Sequence, residues 1–165
     1  MPNTTPPMTL IPEQRKRDML ALVMALSRSH EVWYGKATRI LAQYELAMGE
    51  FDVLSTLERS PEYTLTPGQL QASVLVTSGG LTKILRQLED REMIIRSQES
   101  SDRRIKPVTL TLQSVSLVRA TRAELFHHYE YWLGAIMNDE EMQQMTGLLQ
   151  KICGREAVPY YPNGI

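Results

Sequence analysis

This chain of 165 residues has few of the features that mark secreted or membrane proteins. It contains one cysteine, Cys153, which excludes an internal disulfide framework and fits a reducing cytoplasm. No apolar run approaches the roughly 20 residues that span a bilayer, and the first residues lack the basic and apolar regions of a signal peptide. We therefore expect a cytoplasmic protein without a membrane partner, large enough to bury an ordinary core.

The chain also lacks a large excess of charge of either sign and a cluster of catalytic residues. The chain has 18 Lys and Arg residues against 19 Asp and Glu residues, so a surface for nucleic acid would have to be a local one. His127 and His128 are adjacent and point to different sides of a helix, and His30 is far away in sequence, so we expect no metal site. The sequence shows neither a nucleophile with a partner base nor a pair of carboxylates that would indicate an active site. We therefore expect neither an enzyme nor a cofactor.

Helical periodicity is the dominant pattern that is present. Apolar residues recur at three- and four-residue spacing from Glu13 to about Tyr44 and again over Met48–Arg59. The same spacing predicts a long helix over Leu112–Met137, roughly 39 Å long at the usual rise per residue, and a last helix capped near Asn138. Because one small lobe cannot cover so long an apolar face, the pattern favours a partner for it.

The middle of the chain predicts two further helices separated by a tight turn. Thr66, Pro67 and Gln69 form a helix-start signal with a capping box, for a helix that runs to about Leu75. The stretch V-T-S-G-G-L-T-K follows, and it lacks the spacing of a Walker-type phosphate loop. Either Thr77 or Ser78 is the expected N-cap of the next helix. The apolar positions of that helix form one stripe: Leu81, Ile84, Leu85 and Leu88.

Two β-strands are predicted after these helices. Met93–Ser97 and Lys106–Thr111 are strand-like and are joined by a polar turn. Because Pro107 has no N–H group for a ladder, we expect the second strand to lie at a sheet edge. Two helices around a tight turn, followed by a hairpin, make a winged helix-turn-helix. The predicted fold class is therefore mainly α with a small β-hairpin wing, a winged helix-turn-helix lobe plus a helical dimerisation region.

This order of elements, with these residues, resembles the MarR family of bacterial transcriptional regulators over roughly residues 15–153. The most specific match is D-R-R-I-K-P-V-T-L-T at residues 102–111, which fits the family's D-x-R wing and V-x-L-T strand end. F-D-V-L at 51–54 and I-I-R at 94–96 match the segments before and after the helix-turn-helix. The family usually has glycine just after the recognition helix, where a positive φ favours it; this chain has Glu92 there.

The resemblance implies a homodimer that binds a pseudo-palindromic operator in double-stranded DNA. It also implies regulation of transcription, as a repressor that a small aromatic or phenolic ligand releases. The alternative is a winged helix that contacts proteins, or packages DNA, without control by a ligand. The expected boundaries are a flexible arm at 1–12, helical dimerisation segments at 13–46 and 112–153, a winged lobe at 47–111, and a C-terminal tail at 154–165.

The expected DNA contacts lie on the recognition helix and on the wing. If the apolar stripe is buried, the opposite face enters the major groove, and the paired glycines let free N–H groups meet a phosphate. By resemblance, the wing arginine reaches the minor groove and the neighbouring aspartate orients it. The full set of expected DNA contacts is Thr66, Thr77, Ser78, Gly79, Gly80, Thr82, Lys83, Arg86, Asp102, Arg103 and Arg104.

Two groups of residues are candidates for a ligand site. His30, Trp33 and Tyr34 share one face of the first helix, where they are either pocket walls or core and dimer contacts. Asp52 and Arg96 match two positions used by a urate-responsive branch of the family, although an arginine expected in that site is an isoleucine here. Alternatively, Asp52 and Arg96 form a structural pair.

Overall fold

The computed structural model describes residues 11–74, 76–96 and 106–153. The chain divides into two compact units, residues 1–39 and 40–165. Among the described helices, none has both the length and the apolar character that crossing a membrane requires.

The described part of the first unit is helical. Helix α1 covers Glu13–Gln43, so its last residues belong to the second unit. It ends where Glu45 takes a φ of 56° and the Leu46 N–H group donates to the Leu41 carbonyl at 3.0 Å. This bond satisfies a carbonyl that the end of a helix would otherwise leave free.

The second unit contains the remaining helices and the core. These helices are α2 (Met48–Glu58), α3 (Pro67–Ser73), α4 (Ser78–Asp90), α5 (Leu112–Leu133) and α6 (Asp139–Cys153). Apolar side chains from α2, α3, α4 and α5 are fully buried together with Val108, among them Leu54, Leu57, Leu70, Leu88 and Val118. Of the apolar stripe predicted for α4, Leu81, Leu85 and Leu88 are buried and Ile84 is half-buried, whereas α6 has no buried residue.

A small antiparallel sheet completes the second unit, and it corrects one prediction. Its strands β1 (Thr64–Leu65), β2 (Ile94–Arg96) and β3 (Val108–Leu110) lie in the order β1-β3-β2. The second predicted strand is therefore central and not at an edge. Pro107 precedes β3, so the missing N–H group costs the ladder nothing. The unpredicted β1 is too short to show a period; the hydroxyls of Thr64 and Thr109 join it to β3 at 2.8 Å.

Helix ends account for the other differences from prediction. The long helix stops at Leu133 rather than Met137, and two N–H groups beyond it, those of Ile136 and Met137, bond back to the Leu133 carbonyl. Asn138 caps α6 as expected, since its Oδ1 accepts from the Glu141 N–H group at 3.0 Å. The apolar spacing of the sequence continues through the turn before this cap, so the sequence pattern alone overestimates the length of α5.

Candidate nucleic-acid interface

Helix α3 begins with the capping box that the sequence predicts. Thr66 Oγ1 accepts from the Gln69 N–H group at 3.3 Å, and Gln69 Oε1 accepts from the Thr66 N–H group at 2.8 Å. The turn that follows α3 is tied by the Gln71 side chain, whose Nε2 donates to the Val76 carbonyl at 2.7 Å. These bonds stabilise the short helix α3 and the tight turn that precedes α4.

Thr77, and not Ser78, is the N-cap of α4. Its Oγ1 accepts from the Gly80 N–H group at 3.1 Å, and its carbonyl accepts from the Leu81 N–H group at 2.8 Å. The N–H groups of Ser78 and Gly79 come earlier in the first turn, where an α-helix provides no acceptor. Together with the positive end of the helix dipole, they suit an anion such as a phosphate.

The exposed face of α4 carries the predicted polar and cationic residues. Leu81, Leu85 and Leu88 are buried, whereas Thr82, Lys83 and Arg86 are exposed on the other side of the helix. Arg86 Nε lies 4.0 Å from Asp90 Oδ2, with both side chains largely in solvent. Such an exposed pair is weak, so Arg86 can turn to a phosphate or a base edge.

The two glycines of α4 differ in what surrounds them. A Cβ on Gly79 would meet nothing within 4 Å, whereas a Cβ on Gly80 would lie 3.1 Å from Thr77 Oγ1. The absence of a side chain at Gly80 therefore leaves space for the Thr77 hydroxyl that caps the helix. At Gly79 it leaves the surface of the first turn uncovered. A side chain at Gly79 would project from the exposed surface without disturbing the cap.

A buried acidic residue joins α2 to α5, and no local sequence pattern predicts it. Glu58 of α2 receives Arg119 Nε and Arg122 Nη2 of α5, each at 2.7 Å. Burial raises the pKa of the Glu58 carboxyl, but the hydrogen bonds and charges of the two arginines outweigh it and hold the pKa below its ordinary value. These partners are 61 and 64 residues away from Glu58, beyond any local spacing rule.

Only the base of the wing lies within the described residues. Asp102, Arg103 and Arg104, the three DNA contacts expected from the wing, fall outside them. At the base of the wing, Arg96 Nε lies 3.1 Å from Glu89 Oε2 on α4. This ion pair joins strand β2 to the recognition helix.

The ligand candidates belong to different units, with His30, Trp33 and Tyr34 in the first and Asp52 and Arg96 in the second. The rings of His30, Trp33 and Tyr34 lie against one another, with His30 and Tyr34 stacked at 5.5 Å between centroids. Within the described residues, no ion pair joins Asp52 to Arg96, and the carboxylate that lies beside Arg96 is that of Glu89.

Burial raises the pKa of Asp52, and the positive charge of Arg59 lowers it in part. A cavity of about 650 Å³ elsewhere in the second unit is lined by none of the five ligand candidates; Tyr44, Arg91, Met93 and Ser116 lie in its wall. In the described ranges, no three His, Cys, Asp or Glu side chains gather as metal ligands would.

A short capped helix, a tight turn, a second helix with an exposed cationic face and an antiparallel sheet define a winged helix-turn-helix, a class that binds DNA through its second helix. The MarR family model matches residues 46–106, which include all of these elements up to the base of the wing.

Known proteins agree with this assignment. An uncharacterized HTH-type transcriptional regulator of Bacillus cereus is 26% identical over 133 residues, 81% of this chain and 84% of its own. Sco3205, a MarR family regulator from Streptomyces coelicolor solved in complex with DNA, has a TM-score of 0.75 at 16% identity, covering 92% of this chain and 91% of its own. RdhR-CbdbA1625, an organohalide-sensing regulator in its 2,4-dichlorophenol-bound form, has a TM-score of 0.73 at 16% identity, covering 92% and 86%.

The chain is similar to the MarR family over residues 46–106. Members of this family are DNA-binding transcriptional regulators and not enzymes. The predicted fold class is confirmed by the solved structures, which share the mainly helical architecture and the small winged sheet.

Proposed function

We propose that this chain is a cytoplasmic, homodimeric, sequence-specific regulator that represses transcription until a small aromatic or phenolic ligand releases it. The observation that carries the proposal is the exposed face of α4, on which Thr82, Lys83 and Arg86 lie opposite a buried leucine stripe. Such a face enters the major groove, where each base pair presents a distinct pattern of donors and acceptors. The free N–H groups of Ser78 and Gly79 would meet the adjacent phosphate.

Exposed apolar residues on α1 support the dimer. Five of its side chains are more than half exposed: Met19, Leu20, Leu22, Val23 and Met24. An apolar row of this size in water marks a contact surface. On α5 and α6, Tyr131, Leu148 and Ile152 are exposed to a similar degree. A second copy of the chain would cover such surfaces, as the family resemblance implies.

The aromatic cluster on α1 supports the ligand. His30, Trp33 and Tyr34 offer flat faces and three polar ring edges, a combination that suits a small aromatic ring with one polar group. Two proteins of similar fold are described as bound to 2,4-dichlorophenol and to 4-hydroxyphenylacetate. We therefore place the ligand at this cluster.

A gel-shift titration against the DNA upstream of the chain's own gene tests the proposal. We expect one fragment to compete better than random DNA and to contain two half-sites about one helical turn, roughly 34 Å, apart. A panel of phenols and aromatic acids should contain a compound that releases this fragment. Trp33→Ala should abolish the release without changing DNA affinity, whereas Val32→Ala, an exposed neighbour on α1, should behave as the native chain.

Two results would contradict the proposal. If no fragment competes better than random DNA, the chain is a packaging protein or a protein-contact module rather than a specific regulator. If a fragment is preferred but no compound in the panel releases it, DNA recognition stands and control by an aromatic ligand fails.

A further inference from the structure

The first turn of α2 carries two consecutive residues that contact the recognition helix. A Cβ on Gly49 would lie 2.9 Å from Ile84 Cδ1, so the middle of α4 fits closely against this turn. The next residue, Glu50, is buried and accepts hydrogen bonds from Arg91, which lies directly after the end of α4. The same turn therefore meets α4 at its middle and at its C-terminal end.

Arg91 makes three contacts that join separate segments of the second unit. Its Nη1 donates to Glu50 Oε1 at 3.1 Å and Oε2 at 3.2 Å, and its Nη2 donates to the Glu45 carbonyl at 2.8 Å. Glu50 Oε2 also accepts from the Ala47 N–H group at 2.8 Å, at the start of α2. The planar guanidinium holds these directions at once, which a lysine ammonium at the end of a flexible chain cannot do.

From this geometry we infer that Arg91 is a positioning residue for DNA recognition, an inference that rests on the proposed function. Its guanidinium is bound to Glu50 and Glu45, so it acts on DNA only through the orientation of α4. Ion pairs with phosphates tolerate small shifts, whereas hydrogen bonds to base edges do not. Loosening the C-terminal end of α4 therefore lowers specificity more than it lowers general affinity.

The test compares two duplexes of about 30 bp: one selected from random DNA by the native chain, and a shuffled version of it. We expect Arg91→Gln to weaken binding to the selected duplex about tenfold, the loss of one charged hydrogen-bond set, and to change binding to the shuffled duplex less than about twofold. The slope of log affinity against log salt should stay as in the native chain. The control Arg86→Gln should weaken both duplexes and reduce that slope by about one.

The conservative variant separates positioning from general folding. Arg91→Lys keeps an ion pair with Glu50 but cannot also reach the Glu45 carbonyl, so it should recover part of the lost specificity. If Arg91→Gln melts below the assay temperature, Arg91→Lys is used instead. The quantity measured is again the ratio of its affinities for the selected and the shuffled duplex.

Three outcomes would overturn the inference. Equal losses on both duplexes with a lower salt slope would make Arg91 a phosphate contact, and native-like affinity for both duplexes would make it dispensable for recognition. If the native chain itself prefers no duplex, the proposed function fails together with this inference; if the native preference is clear and Arg91→Gln retains it, only the inference fails.

Discussion

At the scale of single residues, Glu58 shows how much of the lobe depends on one buried charge. Moving a carboxylate out of water costs several kcal/mol, and only well-placed partners offset that cost. Arg119 and Arg122 supply two hydrogen bonds with positive charge, and Arg119 also donates to the Tyr63 hydroxyl at 3.3 Å. The network fixes α5 against the end of α2 and the residues before β1.

Glu58→Gln should lower the free energy of unfolding by about 2–3 kcal/mol at pH 7, because it removes one partner from a buried ion pair that is partly open to solvent. The pKa of Glu58 lies below its usual 4.5 in the folded chain. The carboxylate therefore stabilises the fold above about pH 4.5, and this contribution is lost as the pH falls through the lower, folded-state pKa. Urea unfolding of both chains across this pH range measures the difference.

The matched control for Glu58→Gln is Glu124→Gln, at an exposed position on α5. It should change the free energy of unfolding by less than about 0.5 kcal/mol. If the difference in the free energy of unfolding between Glu58→Gln and the native chain stays constant down to strongly acid pH, that result would assign the effect to packing and not to charge.

Single residues were predictable only where a local rule or the family pattern applied. Thr66 could be predicted as a cap, and Thr77 as one of two candidates with Ser78, because a hydroxyl before a helix bonds to an N–H group three residues later. The family's glycine position identified the place where Glu92 has a φ of 57°. Glu58 and Arg91 could not be predicted, because their partners are brought to them by the packing of whole helices.

At the scale of elements, α4 was predictable because its four-residue apolar stripe, its cap and its exposed cations agree with one another. The same agreement is missing at β1, which has two residues and no period, and at β3, where Pro107 suggested an edge strand. The position of a strand within a sheet depends on pairing between distant segments, so a local signal cannot decide it.

Gly79→Glu is the variant that tests the recognition helix as an element. The side chain would stand in open space on the exposed first turn, where its negative charge would face the phosphates. We expect DNA affinity to fall at least about tenfold with little change in melting temperature, because a carboxylate in the first turn suits the helix dipole. Gly80→Glu is a poorer test, since its side chain would also disturb the Thr77 cap.

Two control variants accompany Gly79→Glu. Gly79→Ala adds no charge and should raise the free energy of unfolding by about 0.5–1 kcal/mol. Gln87→Glu adds the same charge on an exposed position nearer the end of α4 and should weaken binding much less. Native-like DNA affinity in Gly79→Glu would exclude the first turn of α4 from the interface.

At the scale of the whole molecule, the composition alone does not indicate the proposed DNA-binding surface. A net charge of −1 offers no sign of nucleic acid, whereas Lys83 and Arg86 lie together on the exposed face of α4, with Asp90 as the acidic neighbour of Arg86. The apolar row on α1 likewise has no explanation within one described chain. Both features fit a pair of chains that presents two recognition helices to one duplex.

Sedimentation equilibrium of the full chain with its selected duplex, combined with a footprint of that complex, tests this pairing most directly. We predict two chains per duplex and two protected half-sites about one helical turn, roughly 34 Å, apart. A complex that contains a single chain, or a footprint with only one protected half-site, would contradict the assembly and with it the proposed mode of recognition.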